Sequence, residues 1–110
     1  MNDEPLTPEP LFAAKTPLGF TVRVTPVRWE LIVTVKHPVM SGREAAVGAT
    51  LGQPDEVRTS RSDPTVFLFY KSDGVGRWVC AVTKRLNGDG FLITAYTTDA
   101  VKEGIRVWPV

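Results

Sequence analysis

The chain is poor in the side chains that metal and thiol chemistry require. Among its 110 residues there is one histidine, His37, and one cysteine, Cys80. These two cannot supply the clustered ligands of a zinc site, and a lone cysteine excludes an internal disulfide. We therefore expect no cofactor, no metal site and a reducing compartment. Cys80 lies in "RWVCAV", a pattern that favours a small buried residue of a strand over a reactive thiol.

Signatures of several common protein classes are also missing. No apolar run approaches the ~20 residues that cross a bilayer, and "MNDEPLTPEPLF" lacks the basic start and apolar run of a signal peptide. We expect a cytoplasmic protein with no membrane partner. The sequence has no G-x-S-x-G elbow, phosphate-binding G-x-x-x-x-G-K loop or G-x-G-x-x-G fingerprint. Hydrolases with those signatures and nucleotide-binding proteins are excluded.

Proline content divides the chain. Residues 1–17 hold Pro5, Pro8, Pro10 and Pro17 and show little apolar periodicity, which predicts a flexible tail. Residues 18–110 have the length and composition of a single domain. It begins with "GFTVRV", whose alternating apolar residues predict a strand.

The next segment, "TPVRWELIVTVK", has the start signals of a helix. Thr25 suits the N-cap and Pro26 the first helical position, where a missing N–H costs nothing. Because Pro38 disfavours helical geometry at the residue before it, the helix should end at or before His37. The same corner suits either an ordinary helix end or a positioned imidazole, and the local sequence leaves both open.

A second helix start follows directly. Ser41 and Glu44 have the S-x-x-E spacing of a capping box, and the alanine-rich segment after them predicts a short helix that ends at Gly52. His37 would then lie between two helices.

The remainder of the chain predicts β-structure. "EVRTSRS", "TVFLFYK", "RWVCAVTKRL" and "FLITAYTT" read as strands, with the short glycine-containing segments "SDGVG" and "NGDG" as hairpin turns. The predicted fold class is α+β: two N-terminal helices packed on a curved, four- to five-stranded antiparallel sheet.

Polar side chains recur on one face of the predicted strands. The period of two places Tyr70, Lys84, Thr94 and Tyr96 where adjacent strands could bring them together, with Arg58 and Arg61 at the border. Such a patch beside a histidine matches metal-free RNA cleavage, which needs proton transfer and stabilisation of negative charge on phosphorus. Each residue also has a structural interpretation: cations protect strand edges, and tyrosine rings fill cores.

The order of these segments is similar to a known family. "VTPVRWELI", "KHPVMSGR", "PDEVRTSRSDPTVFLFYK", "GRWVCAVTKRL" and "FLITAYTT" together resemble phage and bacterial nuclease-like domains of the barnase/EndoU/colicin/RelE-like (BECR) group. The similarity covers roughly residues 22 to 109. It implies an RNase-like site, with catalytic residues His37, Lys84, Thr94 and Tyr96 and substrate-binding residues Arg58, Arg61 and Tyr70. One departure is Leu31, where related sequences often carry a histidine.

Our leading hypothesis is a metal-independent endoribonuclease-like domain, from a toxin or a phage, that cleaves RNA by attack of the 2′-hydroxyl. In it His37 is the general base or acid, Arg61 and Lys84 stabilise the phosphorane, and Tyr96 and Thr94 position the phosphate. The alternative is a catalytically inactive relative that binds RNA or a protein, which is favoured by Leu31, by a net charge of only +1 and by the single imidazole. The expected partners are RNA and an antitoxin or other protein. The net charge of +1 does not decide which of these partners the protein binds.

Overall fold

One mixed sheet of seven strands forms the frame of the molecule. A computed structural model describes residues 9–110. The strands are β1 (Phe12–Lys15), β2 (Thr21–Val24), β3 (Glu56–Thr59), β4 (Val66–Ser72), β5 (Trp78–Leu86), β6 (Asp89–Thr98) and β7 (Ile105–Trp108). Between β2 and β3 lie helix α1 (Pro26–Leu31), a π-helical turn (Ile32–Lys36), a 3-10 turn (Pro38–Met40) and helix α2 (Glu44–Gly52).

The strand order is β1-β2-β6-β5-β4-β3-β7, and β2 and β6 form its one parallel pair. The centre is the antiparallel meander β4-β5-β6. A tight turn joins β5 to β6, and Asn87 adopts the positive φ of 59° that such turns require. The predicted meander is therefore present within a larger sheet.

The predicted fold class is wrong. The sheet has seven strands and mixed direction, whereas we expected four or five antiparallel strands under two N-terminal helices. Two strands that the sequence did not predict, β1 and β7, lie at the two edges of the sheet, and β2, the strand predicted from "GFTVRV", pairs parallel with β6. Local periodicity carries no information about strand pairing.

Part of the segment predicted as a tail is a strand. Phe12–Lys15 form β1, which pairs antiparallel with β2, and Phe12 packs edge-on against the Trp29 ring at 6.0 Å. Only four residues long and close to prolines, this strand has too short a pattern to recognise. The rest of the predicted tail, residues 1–8, lies outside the described residues.

The start of the first helix is confirmed in detail. The Thr25 hydroxyl accepts a hydrogen bond from the Arg28 N–H at 3.1 Å, and Pro26 occupies the first turn. The α-helical geometry lasts only to Leu31, and the β-branched segment that follows winds as a π-helical turn. His37 then leaves helical geometry, with φ −142° and ψ 79°, as expected of a residue before proline.

The predicted capping box at the second helix is wrong. Helix α2 begins at Glu44 itself, and its N-cap residue is Arg43, which makes no side-chain capping bond. The 3-10 turn and Gly42, at φ 78°, carry the chain around Ser41 before the helix can begin. The helix ends at Gly52, as predicted.

The core lies between the helices and one face of the sheet. Apolar residues of α1, α2 and the intervening turns pack there against the strands. The fully buried members include Phe20, Val22, Ile32, Met40, Val47, Leu51, Phe69 and Leu92. The helical layer covers this face of the sheet and leaves the other face of β4, β5 and β6 uncovered by helices.

The glycine pair at the β5-β6 turn gives a test of this packing. A Cβ atom on Gly90 would lie 2.8 Å from the Lys84 carbonyl oxygen and 3.1 Å from the Phe20 ring, whereas one on Gly88 would meet nothing within 4 Å. We expect Gly90→Ala to lower the free energy of unfolding by about 1–3 kcal/mol, because the added methyl overpacks the site. Gly88→Ala is the matched control. Urea denaturation of both variants measures the difference, and equal midpoints would contradict the packing described here.

Candidate functional site

A groove lies on the sheet face opposite the helical core. Its volume is about 520 Å³, within the range of small-molecule and nucleotide sites. The strands supply its floor and two loops supply its walls. It is lined by Ser60, Arg61, Ser62, Val66, Leu68, Val82, Tyr96, Lys102, Glu103 and Gly104.

The alternation of the central strands forms the floor. Leu68, Val82 and Thr94 are direct cross-strand neighbours on β4, β5 and β6. The adjacent row on the same face consists of Tyr70, Cys80 and Tyr96. Odd-numbered neighbours such as Phe69 and Ala81 point into the core instead, because successive side chains of a strand alternate between faces.

His37 contacts this face through Tyr96. The imidazole and phenol ring centroids are 5.4 Å apart, with the ring planes tilted by 41°. The contact arises because only Thr21–Arg23 of β2 pair with β6, and they pair with its first residues. The later half of β6 therefore lies beside the π-helical and 3-10 turns. The corner at His37 is therefore a helix end that also faces the polar side of the sheet.

Tyr70 and Cys80 lie beneath the accessible surface. Tyr70 has 1% of its surface exposed and Cys80 none, and both belong to a second apolar cluster that Leu68 shares. Tyr70 therefore has no surface with which to bind a substrate. Burial raises the pKa of the Cys80 thiol to about 11, so the group stays protonated at neutral pH.

Tyr96 is half-buried and lines the groove. Burial, and secondarily the neighbouring Cys80, raises the pKa of its phenol well above the usual value. The hydroxyl is therefore protonated across the physiological range and can donate a hydrogen bond to an anionic ligand. Next to it, the Thr94 hydroxyl oxygen is buried without a hydrogen-bond partner among the described residues.

The predicted cations occupy different positions. Arg61 lines the groove. Lys84 lies at its end, opposite Val66, and its ammonium group is 2.9 Å from an Asp63 carboxylate oxygen. Arg58 lies on the same face beside Leu68 and forms an ion pair with Glu56. The Lys84 charge is thus largely compensated, and Arg61 is the predicted cation with direct access to the groove.

Two functional candidates were not anticipated from the sequence. Lys102 and Glu103 lie in the connection from β6 to β7, where Val101 packs on the second apolar cluster. Gly104 permits this connection, because its φ is 81° and a side chain would collide with the Thr59 carbonyl. The only sequence signal was a charged pair before a glycine.

The structure thus unites a subset of the predicted residues. His37, Thr94, Tyr96 and Arg61 lie in or beside the groove, and Lys84 and Arg58 lie at its margins. Tyr70 is a buried support for this face rather than a part of its surface.

Residues 9–110 contain no group of three His, Cys, Asp or Glu side chains arranged to hold a metal ion. None of the helices in that range is long and apolar enough to span a bilayer. Comparisons of the chain with protein-family models, curated proteins and solved structures find no match. The family resemblance therefore stays a prediction.

The Asp63 carboxyl offers a titration test of the groove margin. Its pKa is lowered to about 2, first by the Thr65 hydroxyl at 2.6 Å and then by Lys84. Thr65→Val should therefore raise this pKa toward the usual value more than Lys84→Met does. Carboxyl chemical shifts followed by NMR against pH measure both. Because the folded-state pKa is depressed, these contacts stabilise the fold above the unfolded pKa and are lost as the pH falls toward about 2. A larger effect of Lys84→Met would contradict this order.

Cys80 gives a second test. A thiol that is buried and has a pKa of about 11 should react slowly with a disulfide reagent at pH 8. We expect the native protein to react at least about a hundredfold more slowly than the protein in guanidinium chloride, since reaction requires opening of the sheet face. Equal rates in the two solvents would show that the second apolar cluster does not exclude the reagent.

Proposed function

We propose that the groove binds single-stranded RNA and that His37 cleaves it by metal-independent transfer of the phosphodiester to the ribose 2′-oxygen. The observation that carries this proposal is the packing of the His37 ring on Tyr96 at the end of a groove with an apolar floor and with Arg61, Lys102 and Glu103 in its walls. The cytoplasmic location expected from the sequence is part of the proposal, because the substrate is cellular RNA.

The shape and chemistry of the groove support a nucleotide ligand. Val66, Leu68 and Val82 offer an apolar surface to a base, and the Tyr96 ring borders it. Single-stranded RNA is recognised through unstacked bases that contact aromatic and apolar side chains, whereas paired bases cannot reach such a floor.

The walls support a phosphate. Arg61 lines the groove from the β3-β4 loop and Lys102 from the β6-β7 connection, and the protonated Tyr96 hydroxyl can donate to a phosphate oxygen. Charge-assisted hydrogen bonds of this kind stabilise the additional negative charge of a phosphorane. In this arrangement Lys102 takes the role that the sequence suggested for Lys84, whose ammonium group is engaged by Asp63.

A single imidazole can carry out both proton transfers in turn. Neutral His37 accepts the proton of the 2′-hydroxyl as the new bond from the 2′-oxygen to phosphorus forms. The resulting imidazolium gives that proton to the 5′-oxygen as its bond to phosphorus breaks. The products are a 2′,3′-cyclic phosphate and a free 5′-hydroxyl, and His37 returns to its neutral form.

The test is cleavage of an unstructured RNA oligonucleotide in EDTA. We expect a 2′,3′-cyclic phosphate product, a rate loss of about 10²-fold or more for His37→Ala, and a smaller loss for Tyr96→Phe. Lys15→Ala, an exposed change on β1, is the control and should keep full activity. An oligonucleotide with a 2′-deoxy sugar at the cleaved position should remain intact.

Several results would overturn this mechanism. Activity that disappears in EDTA would require a metal ion, and cleavage of the 2′-deoxy substrate would exclude attack by the 2′-oxygen. Unchanged activity of His37→Ala would show that His37 takes no part in the proton transfers and serves only as a helix end. Circular dichroism of each variant separates loss of chemistry from loss of fold.

The second candidate is binding of single-stranded RNA without cleavage. The compensation of Lys84 by Asp63 and the presence of only one imidazole in the chain favour it. This candidate predicts RNA affinity that decreases with salt and is lost in Arg61→Ala, with no cyclic phosphate product from the wild-type protein.

A further inference from the structure

We propose that the groove continues over β3 and β7, where Arg106, beside the Glu56-paired Arg58, binds a further phosphate of the same RNA strand. The substrate is then single-stranded RNA longer than a dinucleotide. This inference rests on the proposed function, which it extends from one phosphate to a second one.

The first observation is a pair of arginines placed directly opposite each other. Arg58 on β3 and Arg106 on β7 are register partners. Like charges at directly opposite positions of an antiparallel pair destabilise the sheet. Glu56 compensates Arg58, but Arg106 forms no ion pair with any residue in the range 9–110. An anionic ligand would supply the compensating charge that Arg106 does not find among these residues.

The second observation is continuity with the groove. Arg58 is the cross-strand partner of Leu68, a floor residue. A Cβ atom on Gly104, which lines the groove, would lie 3.3 Å from the Arg58 Cβ. The two arginines therefore lie next to the groove wall, on the same face of the sheet as the groove floor.

The third observation is distance. The strand order places β5, β4 and β3 between Tyr96 on β6 and Arg106 on β7. Four strand spacings of about 4.8 Å give a span of roughly 19 Å. A single phosphate cannot contact both ends of such a span, so Arg106 must bind a phosphate other than the one beside His37.

The balance of charge along this path favours an anionic chain. The path carries two more basic than acidic side chains: the bases are Arg58, Arg61, Lys102 and Arg106, and the acids are Glu56 and Glu103. The opposite edge strand β1 carries the exposed Lys15, which lies away from the path and provides a control with the same change in charge.

The experiment compares Arg106→Ala with Lys15→Ala on two substrates, a dinucleoside monophosphate and an unstructured hexanucleotide. We expect Arg106→Ala to lower kcat/KM for the hexanucleotide by up to about fivefold, which corresponds to one exposed charge contact, and to leave the dinucleotide rate unchanged. Lys15→Ala should change neither rate.

Binding gives an independent measurement. With His37→Ala in the background to prevent cleavage, Arg106→Ala should weaken hexanucleotide binding and reduce the slope of log K against log salt by about 0.7, the value for one contact to single-stranded nucleic acid. A polyglutamate peptide of equal charge is the competitor and should bind much more weakly than RNA.

The outcomes separate this inference from the proposed function. Wild-type protein that neither binds nor cleaves RNA would overturn both. RNA binding or cleavage by the wild type, with Arg106→Ala equal to Lys15→Ala on the hexanucleotide, would overturn the extended path alone. Polyglutamate binding as tight as RNA binding would assign the arginine pair to an acidic protein instead.

Discussion

The parallel pairing of β2 with the first residues of β6 is the constraint on which the candidate site depends. It involves only Thr21–Arg23, yet it determines where the chain enters α1 and which part of β6 has no strand neighbour on the side away from β5. The π-helical and 3-10 turns occupy the place beside the rest of β6. This pairing therefore positions His37 against the Tyr96 ring.

Along the central strands, alternate side chains point to opposite faces of the sheet, so core residues lie on one face and the candidate site on the other. One face of β4, β5 and β6 contributes Phe69, Ala81 and Leu92 to the core beneath the helices. The other face holds the buried row of Tyr70 and Cys80, and next to it the groove floor. A site on rigid strands with walls from loops is a common arrangement for ligand binding.

Electrostatic pairing determines which cations remain available. Asp63 engages Lys84 and Glu56 engages Arg58, whereas Arg61 and Lys102 line the groove. Neither the count of basic residues nor the net charge reveals this distinction. It is a consequence of which acids the loops bring close, and it moves the expected phosphate contact from a strand lysine to a loop lysine.

Features that depend on neighbouring residues could be predicted from the sequence: the Thr25 cap, the helix end at His37, the hairpin turn at Asn87 and the meander of apolar strands. The sequence also placed Thr94 and Tyr96 on one face, since alternation in a strand is local. Tertiary structure alone decided the pairing of β1, β2 and β7, the burial of Tyr70 and the entry of Lys102 and Glu103 into the groove. These features depend on contacts between segments distant in the chain, and short strands and loops carry too few residues for their patterns to specify a partner.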